Sequence, residues 1–153
     1  MTDAAFPNTG YLAWQFSQII AGRLERALRA EELTLAQHNA LQQVTWTPGV
    51  SAAEIARRSG ITAQSMGAAV NQLVERGLLR REAHPTSRRS MRLFATSEGH
   101  AAAAHSMSIA GRVEGETTSP LSPDDKDTLH RLLHRLVEDL NPDALAVDSR
   151  SLT

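Results

Sequence analysis

Residues 51–76 read SAAEIARRSGITAQSMGAAVNQLVER, and this stretch decides the fold. Ser51 stands three residues before Glu54, the spacing of a capping box, in which each of the two side chains accepts a backbone N–H at the start of a helix. The pattern predicts a short helix over Ala52 to Ser59. Gly60 follows it, and glycine readily takes the left-handed conformation that ends a helix.

A second, longer helix is predicted directly after this glycine. Thr62 is a suitable capping residue, the helix is expected to run from Ala63 to Arg76, and Gly77 stops it. The two helices are therefore joined by about three residues. A short helix, a tight turn and a longer helix form a helix-turn-helix, whose second helix usually enters the major groove of DNA.

A β-hairpin is predicted to follow the second helix. Strand-like segments run from Leu78 to Glu82 and from Ser90 to Ala95, and a basic loop from His84 to Arg89 separates them. Two strands with a basic loop after a helix-turn-helix make a wing. The expected fold class is therefore mainly α, a winged helix-turn-helix with a two-stranded β wing, spanning about residues 51–95.

Helical patterns flank this unit on both sides. The expected helices run from about Thr9 to Ala30, from Thr34 to Thr45, from Ser97 to Val113 and from Ser122 to Leu140. Gly111 and Gly115 are expected to weaken the end of the third of these, and the last eleven residues are expected to form a loose tail. We expect one domain over 1–153, with helical dimerisation regions at 9–33 and 97–140.

Charge is distributed unevenly along a chain whose net charge is only -1. The segment Ser51 to Arg92 contains eight arginines and three glutamates, a net +5, whereas the remaining residues sum to -6. A basic middle on an acidic body indicates a segment that binds a polyanion. A solvated arginine-rich surface, or a face for an acidic protein partner, would share this pattern.

Composition excludes several other classes of protein. The chain has no cysteine, which removes disulfides, thiolate metal sites and thiol redox chemistry. It has no apolar run of the ~18 residues that a membrane span needs, and no signal peptide is visible. We therefore expect a cytoplasmic protein that does not bind a membrane. Without a phosphate loop, nucleophile elbow or paired-carboxylate motif, no enzyme activity and no cofactor are predicted.

Two motifs in the middle of the chain carry a family resemblance. Leu73 to Arg80 reads LVERGLLR, and the exit from the wing reads Leu93-x-x-Thr-x-x-Gly99. In this order and spacing they closely resemble the MarR family (multiple antibiotic resistance regulators), and the resemblance covers about Gly10 to Leu140. It implies an effector-responsive repressor that binds a pseudo-palindromic double-stranded DNA operator as a homodimer.

The same resemblance assigns candidate DNA-binding residues. Gln64 and Asn71 can pair with adenine edges in the major groove, although exposed Asn71 and Gln72 without a DNA role are the plainer alternative. Arg89 corresponds to the wing-tip arginine that enters a minor groove. The chain departs from the family pattern at Ala68, often arginine, and at Ser87, usually aspartate. The full predicted set is Thr62, Gln64, Ser65, Ala68, Asn71, Arg88 and Arg89.

Family members often hold a small effector between the dimer helices and the winged domain. Aromatic and histidine side chains suited to line such a pocket here are Tyr11, Trp14, Phe16, His38 and Trp46. Aromatic residues at helical spacing also suit an ordinary core. Trp14 and His38 are selected as the predicted contacts of a small aromatic effector.

A metal site is the remaining alternative. His130 and His134 lie four residues apart on one predicted helix, which allows two ligands, but no third ligand is tied to the pair, and no metal is predicted. Three readings therefore stay open: a transcription factor, a module for protein contacts and a small metal-dependent enzyme. Salt-dependent binding to duplex DNA separates the first two, and a metal assay tests the third.

Overall fold

The computed structural model describes residues 7–145, and over this range it is a mainly helical winged helix-turn-helix. Its helices and strands, in chain order, are α1 (Thr9–Leu28), α2 (Leu35–Trp46), α3 (Ala52–Ser59), α4 (Ala63–Glu75), β1 (Leu79–Ala83), β2 (Met91–Ala95), α5 (Ser97–Thr117) and α6 (Pro123–Leu140). Single 3-10 turns follow α1 at Arg29–Glu31 and α6 at Pro142–Leu145. The predicted fold class is confirmed.

The winged unit is built around side chains that are completely buried. Leu41 of α2, Ile55 of α3, Met66 and Leu73 of α4 and Leu93 of β2 are all inaccessible to solvent or nearly so. Because α3 and α4 share this core with the wing, the outer face of α4 is held at a fixed angle to the wing. The residues of the helix-turn-helix and the hairpin therefore form one packed body.

The wing is an antiparallel hairpin in which Leu79 lies opposite Ala95, and Arg81 lies opposite Leu93. The strands begin one residue later than predicted, at Leu79 and Met91. β2 is also fastened to the chain before α3, since the Gly49 N–H donates to the Leu93 carbonyl at 2.7 Å and the Leu93 N–H donates to the Val50 carbonyl at 3.1 Å. This pairing ties the wing to the helical core.

The motif Leu93-x-x-Thr-x-x-Gly99 forms the junction between the wing and α5. The Thr96 hydroxyl donates to the Gly77 carbonyl at 2.6 Å and accepts the Gly99 N–H at 3.0 Å, so one side chain caps α5 and joins it to the end of α4. A Cβ atom on Gly99 would lie 1.9 Å from the Leu78 carbonyl oxygen. Glycine is therefore the one residue that fits this position.

Two local predictions are corrected by the structure, and a third is confirmed. α5 continues to Thr117 rather than ending near Val113, because Ile109 and Val113 are buried and their packing outweighs the cost of Gly111 and Gly115. At α3, Ser51 accepts the Glu54 N–H, but the Glu54 carboxylate pairs with Arg58, so the capping box is half formed. The predicted box at α2 is complete, with Thr34 and Gln37 each accepting the other's backbone N–H.

The predicted tail is also partly wrong. Its first three residues, 143–145, belong to the 3-10 turn Pro142–Leu145, which packs against α3. The Asp143 carboxylate pairs with Arg57, and the Asn141 side chain donates to the Arg58 carbonyl at 3.4 Å. The rest of the predicted tail, 146–153, lies outside the described residues.

The outer helices expose apolar side chains that this chain alone does not cover. In α6 no residue is buried, and Leu132, Leu136 and Leu140 are 46%, 57% and 77% exposed. In α1, Leu12 and Ile19 are also exposed. Within residues 7–145, no helix combines the length and hydropathy that crossing a membrane requires.

Candidate nucleic-acid interface

The outer face of α4 presents the side chains that were predicted to read DNA. Gln64, Ser65, Ala68 and Asn71 are exposed, whereas Met66, Val70 and Leu73 on the opposite face are buried. The helix contains no lysine or arginine between Ala63 and Glu75. Its exposed face therefore carries no positive charge, its last residue Glu75 being acidic, and any positive charge beside it has to come from another element.

The start of α4 is fixed by Thr62. Its hydroxyl oxygen accepts the Ser65 N–H at 3.1 Å, and its hydroxyl hydrogen donates to Ser65 Oγ at 2.9 Å. Ser65 therefore keeps its own hydroxyl hydrogen for an external acceptor. The two predicted residues lie together at the first turn of the helix, on its exposed side.

The end of the polar face is tied to neighbouring elements. The Arg81 guanidinium of β1 donates to Asn71 Oδ1. Gln72 Oε1 accepts Gln37 Nε2 of α2 at 2.6 Å. Both residues are exposed, as the plainer alternative has it, and each side chain also has a specific partner in another element.

Most arginines of the basic segment already have partners. Arg57 pairs with Asp143 and keeps the pKa of that carboxyl below its ordinary value, while Arg58 pairs with Glu54 and Arg80 with Glu82. Further contacts hold Arg76, which donates to the Glu32 carbonyl at 2.7 Å, and Arg92, whose guanidinium lies 5.0 Å from the Phe94 ring centroid. Within residues 7–145, Arg81, Arg88 and Arg89 pair with no carboxylate.

Two of these three arginines line one cleft. The cleft has a volume of about 410 Å³ and lies between the start of α3, α4 and the wing, where Arg81 and Arg89 face Ser51 and Ser90. Arg88 is exposed in the wing loop. The free positive charge of the winged unit is therefore concentrated beside the polar face of α4. Arg81 was not singled out from the sequence, although it follows buried Leu79 by two residues and so shares its face of the strand.

The two predicted effector contacts differ in their surroundings. Trp14 is 57% exposed on α1, and its ring centroid lies 6.3 Å from that of Tyr11. His38 is buried between α2 and α5. Two cavities beside α1, of about 350 and 660 Å³, are both lined by Phe16 and Ile20, and neither is lined by Trp14 or His38.

His38 belongs to a buried polar network that joins α2 to α5. Its Nδ1 lies 3.0 Å from Ser106 Oγ, and Gln42 Nε2 donates to the same oxygen at 3.1 Å and to the Ala103 carbonyl at 2.8 Å. Burial lowers the pKa of His38, which keeps the imidazole neutral. Nothing in the sequence pattern distinguished Ser106 or Gln42, since their burial depends on how the helices cross.

The histidine pair on α6 lacks the further ligands of a metal centre. The rings of His130 and His134 have centroids 6.3 Å apart. Over the range 7–145, no three His, Cys, Asp or Glu side chains converge in a way that could hold a metal ion.

A polar helix face without cations, beside a two-stranded wing whose Arg81, Arg88 and Arg89 pair with no carboxylate of residues 7–145, defines a winged-helix DNA-binding protein. A sequence model described as the MarR family matches residues 32–90. Over these residues, the chain matches the MarR family of transcriptional regulators.

Curated relatives carry names that agree with this match. The HTH-type transcriptional repressor Rv2887 of Mycobacterium tuberculosis is 27% identical over 130 residues, which are 85% of this chain and 94% of that protein. The putative transcriptional regulatory protein for the hcr operon of Thauera aromatica is 33% identical over 106 residues, 69% of this chain and 64% of that protein.

Solved structures share the fold. The structure of Rv2887 in complex with salicylic acid aligns with a TM-score of 0.75 at 26% identity, covering 87% of this chain and 98% of that one. The apo form of MarR from E. coli aligns with a TM-score of 0.76 at 22% identity, covering 84% and 96%, and contributes the fold alone.

Proposed function

We propose that the chain is a repressor that binds a pseudo-palindromic DNA operator as a homodimer and releases it when a small aromatic acid binds. The observation that carries the proposal is the polar face of α4 beside three arginines, Arg81, Arg88 and Arg89, that pair with no carboxylate of residues 7–145. The relatives named as transcriptional repressors support the same activity. The proposal places the protein with the DNA in the cytoplasm and gives it no catalytic step.

The proposed roles follow the position of each side chain. The residues of α4 that face base edges in the major groove are Gln64, Ser65, Ala68 and Asn71. Thr62 holds the start of the helix against the phosphate backbone of the DNA. Arg88 and Arg89 belong to the wing, which lies over the adjacent minor groove. The strand of phosphates between the two grooves then runs past the cleft of Arg81 and Arg89, where cations stabilise it.

Dimerisation is proposed through the outer helices. Leu132, Leu136 and Leu140 of α6 and Leu12 of α1 would leave a larger apolar surface exposed than a monomeric protein usually tolerates. A two-fold axis through such an interface relates two copies of α4. Such a pair of helices would bind two half-sites of opposite orientation that lie one DNA turn apart.

An aromatic carboxylic acid is the proposed class of effector. The relative Rv2887 has been solved with salicylic acid and with p-aminosalicylic acid, each structure at 26% identity to this chain. Trp14 offers an exposed ring for stacking, and His38 lies in the α2–α5 contact that an effector would have to move. Such an effector can lower operator affinity only by the difference in its affinity for the two forms of the dimer.

Selection of bound fragments from genomic DNA tests the operator. We expect a two-fold symmetric site, bound with an affinity that falls steeply as salt rises, because arginines displace condensed counterions. Arg89→Ala should weaken binding by roughly 1–3 kcal/mol. Arg112→Ala removes the same charge from α5 and is the control, which should bind as the wild type does. Binding that ignores salt, or no selected site, would remove the proposed function.

A displacement screen of small aromatic acids tests the effector. An active compound should weaken operator binding by a coupling of ~1–3 kcal/mol and change the fluorescence of Trp14. Trp14→Ala and His38→Ala should each reduce this response, whereas Tyr11→Phe keeps the neighbouring ring and should respond normally. A compound that releases all these variants equally would place the effector elsewhere in the dimer.

A further inference from the structure

We propose that Arg81 is a specificity-determining residue: it orients the side-chain amide of Asn71, so that α4 reads guanine rather than adenine at the base pair that Asn71 faces. The inference rests on the proposed DNA binding and adds to it a positioning residue and a base preference. It starts from the hydrogen bond between Arg81 of β1 and Asn71 of α4.

The chemistry of this hydrogen bond fixes which way the amide points. A guanidinium has N–H donors and no acceptor, so the Asn71 atom that faces it must be the oxygen. Oδ1 therefore points to the wing, and Nδ2, with its two hydrogens, is left for another partner. An asparagine amide free of such a partner could present either atom, and the sequence alone suggested adenine on that basis.

The register of the wing explains why Arg81 rather than its neighbour reaches α4. Arg81 lies opposite buried Leu93 and two residues after buried Leu79. Its side chain therefore projects from the face of the hairpin that packs on the helices. The side chain of Arg80 projects from the other face, where it pairs with Glu82. Its guanidinium lies 4.7 Å from the Phe94 ring centroid. The two adjacent arginines therefore have different surroundings and the same charge.

Base edges discriminate between the two orientations of the amide. Pairing with adenine requires the asparagine oxygen to accept from N6 and its nitrogen to donate to N7, whereas guanine offers two acceptors, O6 and N7. With Oδ1 turned to Arg81, Asn71 presents donors alone, and the remaining N–H groups of Arg81 are donors as well. α4 itself contains no lysine or arginine, so the N–H donors of Asn71, oriented by Arg81, supply the guanine-reading group that the helix lacks.

Selection from an operator library randomised at every position tests the inference. Asn71→Ala identifies the base pair that Asn71 reads, as the position whose preference it abolishes. We expect the wild type to prefer guanine over adenine there by roughly 5- to 100-fold. Arg81→Met, of similar length and without donors, should lose most of this preference. The double variant should show the same lack of preference between guanine and adenine as Asn71→Ala. Arg80→Met should keep the wild-type preference.

Several results would overturn the inference. Adenine preferred by the wild type at that position would contradict it directly, as would an Asn71→Ala profile that matches the wild type. If Arg81→Met binds every sequence more weakly by one factor and keeps the preference, Arg81 is a phosphate contact only. A wild type that selects no DNA would instead remove the proposed function, on which the inference rests.

Discussion

At the scale of single residues, Gly99 has the least freedom to change. The first turn of α5 passes so close to β1 that a methyl group on Gly99 would meet the Leu78 carbonyl oxygen at 1.9 Å. We predict that Gly99→Ala lowers the free energy of unfolding by roughly 1–3 kcal/mol or more, as an overpacked core position does. Urea-induced unfolding followed by circular dichroism measures this difference.

A second glycine of the same helix is the matched control. Nothing lies within 4 Å of a Cβ atom built on Gly111, which is exposed within α5. Gly111→Ala should therefore raise the free energy of unfolding, by up to about 1 kcal/mol, through the better helix propensity of alanine. Equal stability of the two variants would mean that α5 and β1 do not approach each other as described.

Individual side chains show where sequence analysis reaches its limit. Thr62 and Ser51 were predicted as caps and do cap, because a cap depends on residues three positions apart in the chain. The partners of Asn71 and Gln72 were not predicted. Arg81 and Gln37 lie ten and 35 residues away, and only the packing of β1 and α2 against α4 brings these side chains together.

At the scale of elements, the contact between α2 and α5 contains a titratable group. His38 is neutral where it packs against Ser106 and Gln42, because burial lowers its pKa. As the pH falls below 6.5, the ordinary pKa of histidine, His38 takes up a proton in the unfolded chain before it does so in the folded one. The contribution of His38 to stability is complete above that pH and is lost as the pH falls towards the folded pKa.

The prediction concerns the difference in stability between the wild type and the variant His38→Gln. We expect the stability advantage of the wild type over His38→Gln to be constant above about pH 7 and to shrink as the pH falls below 6.5. The five other histidines are present in both proteins, so their titration cancels in the comparison. Unfolding midpoints in urea at a series of pH values measure it. An advantage that grows on acidification would show that His38 is charged in the folded protein.

Elements with strong end signals were predicted closely, and elements that end by packing were not. α3 has the predicted bounds because Ser51 caps one end and Gly60, in the left-handed conformation, forms the other. α5 is four residues longer than expected, since its glycines cost less than its buried side chains contribute. The order and type of the elements followed from periodicity, whereas this boundary depended on tertiary contacts.

At the scale of the whole molecule, the exposed leucines of α6 lead to a prediction about assembly. Leu136 and Leu140 are 57% and 77% exposed, so replacing both by glutamate should leave the fold of one chain intact. The charged variant should be a monomer by light scattering at micromolar concentration, where the wild type is a dimer. It should bind a full operator roughly 100-fold more weakly, because each half-site is then bound independently.

Circular dichroism distinguishes a dissociated chain from an unfolded one in this experiment. A folded variant that remains dimeric would assign the interface to other surfaces, and a wild type that scatters as a monomer would remove the dimer from the proposal. The exposed leucines of α6 lie within a region, 97–140, that the sequence analysis assigned to dimerisation. Their geometry in the assembly depends on the second chain, which sequence patterns alone do not position.

The turn Pro142–Leu145 has a consequence for thermal motion. α6 follows α5 at one end and, through Asp143, contacts Arg57 of α3 at the other. An exposed ion pair of this kind is screened by water and contributes little to stability. If the pair opens, the packing of the turn on α3 and the hydrogen bond from Asn141 to the Arg58 carbonyl still hold this end of α6 against the winged unit. We therefore expect this turn to narrow the range of separations that the two α4 helices adopt in a dimer.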